Sequence, residues 1–252
     1  MIPIPTEQHE IKLCADHGAY TATGRELLGK VLWTYCPQCV ADRAEKQRKM
    51  DEDQERYKFE QRVKDSEIPE RFKDRTLASY QATSEGQKKA LAFCEDYASS
   101  FSTIRKTGRS AIFLGKPGTG KTHLAIGIGL EVLRQKQGRV MFTSASRLLR
   151  RIKDSYRKGS HESEREAYAV FTTCELLIID EIGIQFGTEY EKNTLFDVIN
   201  ERYENLRPTI LLSNLAMDEV KGYLGDRTFD RMRENGGQAI AFTWGSHRGA
   251  QS

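Results

Sequence analysis

The sequence predicts an α/β protein: a parallel sheet sandwiched by helices, preceded by a small metal-binding segment and a highly charged helix. Three observations predict it. From residue 110 onward, short apolar runs alternate with stretches of helical periodicity, as in strands joined by crossover helices. The first of these strands runs into Gly115-Lys116-Pro117-Gly118-Thr119-Gly120-Lys121-Thr122, a complete G-x-x-x-x-G-K-[ST] phosphate loop. Ahead of that core, residues 14–39 hold two ligand pairs of metal-site spacing, and residues 41–67 are almost wholly charged or polar.

The chain has 252 residues, of which 38% are hydrophobic and 30% charged, enough for one core domain and a small appendage. Its net charge of +3 gives no global sign of nucleic-acid binding, so any basic surface must be local. No stretch approaches a membrane span, and Met1-Ile2-Pro3-Ile4-Pro5-Thr6-Glu7 lacks the basic start of a signal peptide. Five cysteines, an odd number with two in a C-x-x-C, favour a reducing compartment and a metal over disulfides. The expected location is cytoplasmic.

Taken in order, residues 1–40 read as a zinc knuckle. Cys14-Ala15-Asp16-His17 and Cys36-Pro37-Gln38-Cys39 are two x₂ pairs separated by 18 residues. Three thiolates and one imidazole make a closed tetrahedral set for Zn²⁺. Each pair is expected in a tight turn, helped by Gly18 and Pro37, and the segment looks too short to hold its own core without the metal. Residues 41–67 read as a charged helical linker, a possible partner-binding arm. Acids and bases recur there at three- and four-residue spacing, with no full apolar stripe. Pro69 is expected to break this helix, and residues 68–252 to form the ATP-binding domain.

Within that domain, Ser110–Leu114 is a strand and 121–136 a helix, the geometry in which a phosphate loop works. The glycines let backbone N–H groups turn toward an anion. Lys121 can reach the β- and γ-phosphates of ATP, Thr122 can ligate Mg²⁺, and His123 opens the helix. Strands follow at 139–143, 175–180, 209–213 and 238–243, with helices at 145–157 and 189–205. Leu176-Leu177-Ile178-Ile179-Asp180-Glu181 is an apolar strand ending in two acids. Asp180 is placed to hold Mg²⁺ with Thr122, and Glu181 to orient or deprotonate the attacking water. The next strand ends in Ser213-Asn214, where an amide can sense the γ-phosphate. In the Gly225–Arg233 stretch, Arg231 and then Arg227 are candidates for a finger on a neighbour's γ-phosphate, and Arg248 for a second sensor within the subunit.

The most basic stretch is Ser146–Lys158. Leu148, Leu149 and Ile152 can face the core, leaving Arg147, Arg150, Arg151, Lys153 and Arg157 outward for single-stranded DNA, with Tyr156 available to stack on a base. Tyr190 and the loop 185–188 are further candidates.

These motifs together resemble the AAA+ ATPases, and within them the bacterial replicative helicase loaders of the DnaC type. The resemblance rests on Gly115–His123, Leu177–Gly183, Tyr190-Glu191-Lys192, Ser213-Asn214, Leu224–Arg227, Asp230–Arg233 and Trp244–Arg248, with an entry segment at Ile68–Phe72. It spans residues 68–248, and a Cys/His knuckle ahead of it is similar to a version found among phage and prophage loaders. It implies ATP-dependent delivery of a ring helicase onto single-stranded DNA through the N-terminal region. It also implies an ATP-bound homo-oligomer with Arg231 acting in trans. Only 38 residues follow Asn214, fewer than a full helical lid needs, so the lid is expected to be short or missing. An IstB-type transposition helper shares this core and is the alternative. A small-molecule kinase leaves Asn214 and the arginine string unexplained, and a non-hydrolysing switch leaves Glu181 unexplained.

Overall fold

A computed structural model describes residues 7–27, 29–183 and 188–246. The chain divides into two compact units, residues 1–58 and 59–252.

The first unit contains a three-stranded antiparallel sheet, β1 (Gln8–Cys14), β2 (Gly18–Leu27) and β3 (Lys30–Trp33), in that order. Gly18 at φ +78° and Gly29 at φ +75° supply the left-handed residues of its two turns. This differs from the bare pair of turns expected from the sequence. The strands alternate, and the register puts Lys12, Tyr20, Ala22 and Trp33 on one face. Ala22 there is fully buried, and the Lys12 ammonium lies 4.2 Å from the Trp33 ring centroid. The second cysteine pair also departs from a simple turn, because helix α1 runs from Pro37 to Asp65 and includes Cys39. Proline suits a first helical position, where its missing N–H costs nothing. Val63 is the one buried side chain among the described residues of α1. Exposed pairs such as Lys49–Glu45 and Arg56–Asp53 (both 2.7 Å) line its surface and each contribute only a few tenths of a kcal/mol. The helix ends at Asp65, short of Pro69, and Glu67 at φ +56° turns the chain.

The second unit is a five-stranded parallel sheet in the order β5-β6-β7-β4-β8. Its strands are β4 (Ala111–Gly115), β5 (Val140–Ser144), β6 (Leu176–Ile182), β7 (Thr209–Ser213) and β8 (Gln238–Phe242). The helices are α2 (Glu85–Ser99), α3 (Phe101–Thr107), α4 (Lys121–Arg134), α5 (Ala145–Ser155), α6 (Glu164–Thr172), α7 (Glu189–Glu204), α8 (Met217–Leu224) and α9 (Asp226–Arg233). α2, α3, α6 and α8 were not anticipated from apolar periodicity. α2 and α6 start at capping boxes, Ser84 with Gln87 and Ser163 with Glu166.

Alternate residues of each central strand enter separate cores. Phe113, Ile178 and Leu212 pack with α2, α3 and α4, while Ile112, Ile179 and Leu211 pack with α5, α6 and α7. Burial on both faces is why these strands read as continuous apolar runs. The free side of β5 is partly covered by Ser66, whose carbonyl accepts from Phe142 N at 2.8 Å. Because β7 lies between β4 and β6, three strand ends that carry chemistry stand side by side.

At the opposite ends of these strands, Arg202 of α7 is fully buried without a carboxylate. Its guanidinium donates to the carbonyls of Phe171 (2.7 Å), Cys174 (2.9 Å) and Pro208 (2.7 Å) and to Thr209 Oγ1 (2.9 Å). Burial holds its pKa below the ordinary arginine value. One side chain thus ties the entries of β6 and β7 to α6 and α7. Arg202→Ala leaves those carbonyls unpaired beside a cavity and is predicted to destabilise the fold by about 3–5 kcal/mol in urea unfolding. Arg147→Ala, on the surface, is predicted to cost no more than about 0.5 kcal/mol.

Candidate nucleotide site and metal centre

The phosphate loop joins β4 to α4. Its glycines are required by contacts as well as by conformation. Gly120 has φ +96°, and a Cβ there would stand 2.7 Å from the Tyr80 ring. Gly115 has φ +148°, and its Cβ would meet the Phe242 carbonyl at 2.3 Å. Lys116 and Pro117 form the exposed tip of the loop, and Thr119 is buried with its hydroxyl donating to the Lys116 carbonyl at 2.9 Å. Lys121 is 5% exposed, and its ammonium donates to the carbonyls of Gly115 (2.5 Å) and Lys116 (2.9 Å) and to Asn214 Oδ1 (3.0 Å).

The acids arrive on β6. The Thr122 hydroxyl donates to Asp180 Oδ2 at 2.9 Å, and Glu181 N donates to Asp180 Oδ1 at 2.7 Å. The pairing of β6 with β7 shifts register between Ile179 and Ile182. Glu181 falls inside that irregularity at φ +64°, a conformation that costs a non-glycine residue about 1–3 kcal/mol. Glu181 is exposed at the strand's end. Two hydrogen bonds, Lys121–Asn214 and Thr122–Asp180, therefore tie adjacent residues at the end of the loop to the ends of β7 and β6.

Thr76, Ser79, Tyr80 and Trp244, not singled out as site residues from the sequence, surround the loop and the expected His123. The His123 imidazole lies within hydrogen-bond distance of the Thr76 carbonyl (2.9 Å) and Ser79 Oγ (3.2 Å), and meets the Tyr80 ring edge-on at 5.2 Å between centroids. Burial lowers its pKa, favouring the neutral ring. The Thr119 carbonyl accepts from Trp244 Nε1 (2.8 Å) and lies 3.5 Å from the Tyr80 hydroxyl.

The candidate arginines sit apart from this network. Arg231, on α9, is half-buried against α7: it donates to Asn200 Oδ1, and its guanidinium lies 5.5 Å from the Phe196 centroid and 5.2 Å from that of Tyr203. Arg227 is exposed, 5.7 Å from Phe196. Arg248 lies outside the described residues, as do residues 185–187 of the candidate DNA loop; Thr188 caps α7, and Tyr190 is 41% exposed in its first turn.

On α5, the apolar residues Leu148, Leu149 and Ile152 are buried, with Arg147, Arg150 and Lys153 exposed on the helix and Arg157 exposed just beyond it. Arg157 pairs with Asp154 at 3.2 Å, and the Tyr156 hydroxyl donates to Glu164 at 3.2 Å. Arg151 is committed within the fold. It makes a bidentate bond to Glu162 (Nη2–Oε1 2.7 Å) and a second pair with Glu67 (3.2 Å), and Glu162 raises its pKa. Sequence spacing placed it with its exposed neighbours because neither partner lies on its own helix.

In the first unit, Cys14, His17, Cys36 and Cys39 bring their ligand atoms within 4.8 Å of one another. The separations are 3.4 Å for Cys14–Cys39, 3.3 Å for Cys39–His17 Nδ1, and 3.8 Å from Nδ1 to both Cys14 and Cys36. Ligands at about 2.3 Å (S) and 2.0 Å (N) around a tetrahedral Zn²⁺ stand roughly 3.5–3.8 Å apart, so the cluster fits zinc. As bare thiols they polarise one another. The Asp16 backbone and the Cys39 thiol lower Cys14 to about 6, and the same contact raises Cys39 to about 12. Asp42, one turn beyond Cys39, is a member of this site that ligand spacing does not reveal. Its carboxylate takes His17 Nε2 at 3.0 Å, which leaves Nδ1 facing the sulfurs.

A phosphate loop, an acid-tipped strand and an intervening strand ending in a polar amide define the class: an AAA+ type P-loop ATPase core. The family model for IstB-like ATP binding proteins matches residues 44–232, and the chain belongs to that family. It is 36% identical over 173 residues to the replicative helicase loader DnaC of Escherichia coli K12, covering 69% of each chain. To DnaC of Buchnera aphidicola (strain Bp) it is 34% identical over 183 residues, covering 73% of each. A crystal structure of the DnaC helicase loader superimposes with a TM-score of 0.62 at 22% identity, over 69% of this chain and 99% of that one, a likeness of fold.

Asp42→Ala is predicted to lower zinc affinity about 10–100-fold in a chelator competition, with all four ligands retained. Asp42→Asn is predicted to recover part of the loss, because its amide oxygen still accepts from Nε2.

Proposed function

We propose that this chain is a helicase-loading ATPase, which couples ATP binding and slow hydrolysis to delivery of a replicative ring helicase onto single-stranded DNA in the cytoplasm. The observation that carries the ATP half is the hydrogen-bonded set Lys121, Thr122, Asp180 and Asn214 at three adjacent strand ends. The client half rests on kinship with DnaC loaders over more than two thirds of the chain.

In this reading the backbone N–H groups of 116–122 cradle the phosphates, and Lys121 exchanges its carbonyl partners for phosphate oxygens. Thr122 and Asp180 would hold Mg²⁺, which neutralises charge between the β- and γ-phosphates. Glu181 orients the attacking water, and Asn214 follows the γ-phosphate. Arg231 serves a neighbouring subunit's site, with Arg227 as second candidate, and Arg248 acts as a sensor within its own subunit. No described helix is long and apolar enough to cross a membrane.

Arg147, Arg150, Lys153, Tyr156 and Arg157 form the proposed DNA surface, with Tyr190 a further candidate. Arg151 belongs to the same surface, where phosphate contacts would compete with its ion pairs to Glu162 and Glu67. The N-terminal region, with its zinc cluster, is the proposed helicase-binding part. The family model's IstB-like description supports the second reading, a transposition helper with the same chemistry and another client.

Co-precipitation with a replicative helicase, with and without ATP, tests the client. A complex is expected, and none in either state rejects the loader reading. Glu181→Gln is predicted to retain ATP binding and lose turnover at least about 100-fold in a phosphate-release assay. The double charge reversal Arg150→Glu with Lys153→Glu is predicted to weaken single-strand binding and flatten its salt dependence by roughly 0.7 per lost phosphate contact, whereas unchanged affinity across salt removes α5 from the site.

A further inference from the structure

The Thr119–Gly120 peptide is gripped from one side. Its carbonyl accepts the Trp244 indole N–H at 2.8 Å, with the Tyr80 hydroxyl a longer second partner at 3.5 Å. The Tyr80 ring also lies against Gly120, where a Cβ would be 2.7 Å from Cε2. The indole is itself held in place. It packs at a tilt against Phe242, 4.9 Å between centroids, which continues to Phe113 at 5.3 Å, and it lies over Gly86 of α2, whose Cβ would stand 3.1 Å from the ring. Two residues on, Ser246 crosses the loop so closely that a Cβ on Gly118 would meet its hydroxyl at 2.0 Å.

A trans peptide is planar, so its C=O and N–H point in opposite directions. With the Thr119 carbonyl turned toward Trp244 and Tyr80, the Gly120 N–H is turned away from them. Gly120 has no Cβ and a left-handed φ of +96°, so little in its own chemistry prevents this peptide from flipping. A flip would present a carbonyl oxygen where a phosphate loop needs a donor. We propose that Trp244, assisted by Tyr80, is a positioning residue of the nucleotide site: it fixes the Thr119–Gly120 peptide so that the Gly120 N–H serves the α- and β-phosphates. The same contact makes the segment 244–246 respond to an occupied loop. This rests on the ATP-binding reading above and adds to it a part for the chain's C-terminal segment.

The handle for the test is that the α/β-phosphates are common to ATP and ADP. Isothermal titration of wild type and Trp244→Phe with each nucleotide in Mg²⁺ buffer measures the effect, with thermal unfolding in parallel. Phenylalanine keeps an aromatic ring on Phe242 and removes the N–H. Affinity is expected to fall about fivefold for ATP and for ADP alike, the loss of one hydrogen bond that organises the loop. A fall in Tm with both affinities within about twofold of wild type would make the residue merely structural and overturn the proposal. Loss for ATP alone would also overturn it, by pointing to a γ-phosphate contact. The chain has two tryptophans, so a Trp33→Phe protein carries Trp244 as sole reporter. Its emission is expected to change with both nucleotides, and no change with either overturns the coupling to segment 244–246. Should Trp244→Phe fail to fold, 3-benzothienyl-alanine in the Trp33→Phe background removes the N–H with the bicycle's shape kept, and the same fivefold criterion applies. A wild type that binds neither nucleotide defeats the ATP reading itself, an outcome distinct from a variant that binds as well as wild type.

Discussion

Lys121 carries a positive charge almost out of solvent, with the oxygens of Gly115, Lys116 and Asn214 within 3.0 Å of its nitrogen. A buried ammonium is tolerated only where its protons find acceptors. Two of those acceptors belong to the loop that Lys121 itself closes, and the third comes from the end of β7. The arrangement holds because β7 lies between β4 and β6, so a residue at its tip reaches the loop on one side while Asp180 meets Thr122 on the other. The parallel sheet, its two-sided core and the carbonyl anchor around Arg202 keep these strand ends in register.

The site also concentrates cost. Glu181 sits in a left-handed conformation at the irregularity of the β6–β7 ladder, and Gly115, Gly118 and Gly120 all have positive φ with neighbours closer than any Cβ would allow. Such features persist where surrounding packing over-determines them. Around the loop that packing comes from Tyr80, which precedes α2, and from Phe242, Trp244 and Ser246, at the end of β8 and just beyond it. A tightly bent loop held from outside presents its donors without reorganising them for each ligand, the condition for strong anion binding. In the first unit the Cys/His cluster that fits zinc, three sulfurs and one imidazole, joins the β1–β2 turn to the start of α1.

Much of this was legible in the sequence where chemistry is local. The phosphate loop, Asp180-Glu181 and the Cys/His pairs are short strings whose spacing states their geometry, and the strands of the core announced themselves by apolar runs buried on both faces. The expected helix at 41–67 formed, but it began at Pro37 and took Cys39 with it. What sequence could not give are pairings between distant positions. Arg151 looked free until Glu67, 84 positions away, and Glu162 closed on it. Trp244 reaches Thr119 across 125 positions. The small sheet of residues 8–33 was hidden for another reason: one of its faces is exposed and carries Ile11, Leu13, Leu27 and Leu32, so polarity does not mark inside from outside.

The strand ends of β4, β6 and β7 are proposed to form one ATP site built on Lys121. Equilibrium titration of ATP into wild type and Lys121→Ala tests it most directly. One ATP is expected to bind per wild-type chain, with an affinity at least about tenfold weaker in the variant from loss of the charge-assisted phosphate contact. A wild type that binds no ATP, or a variant that binds it equally well, would contradict it.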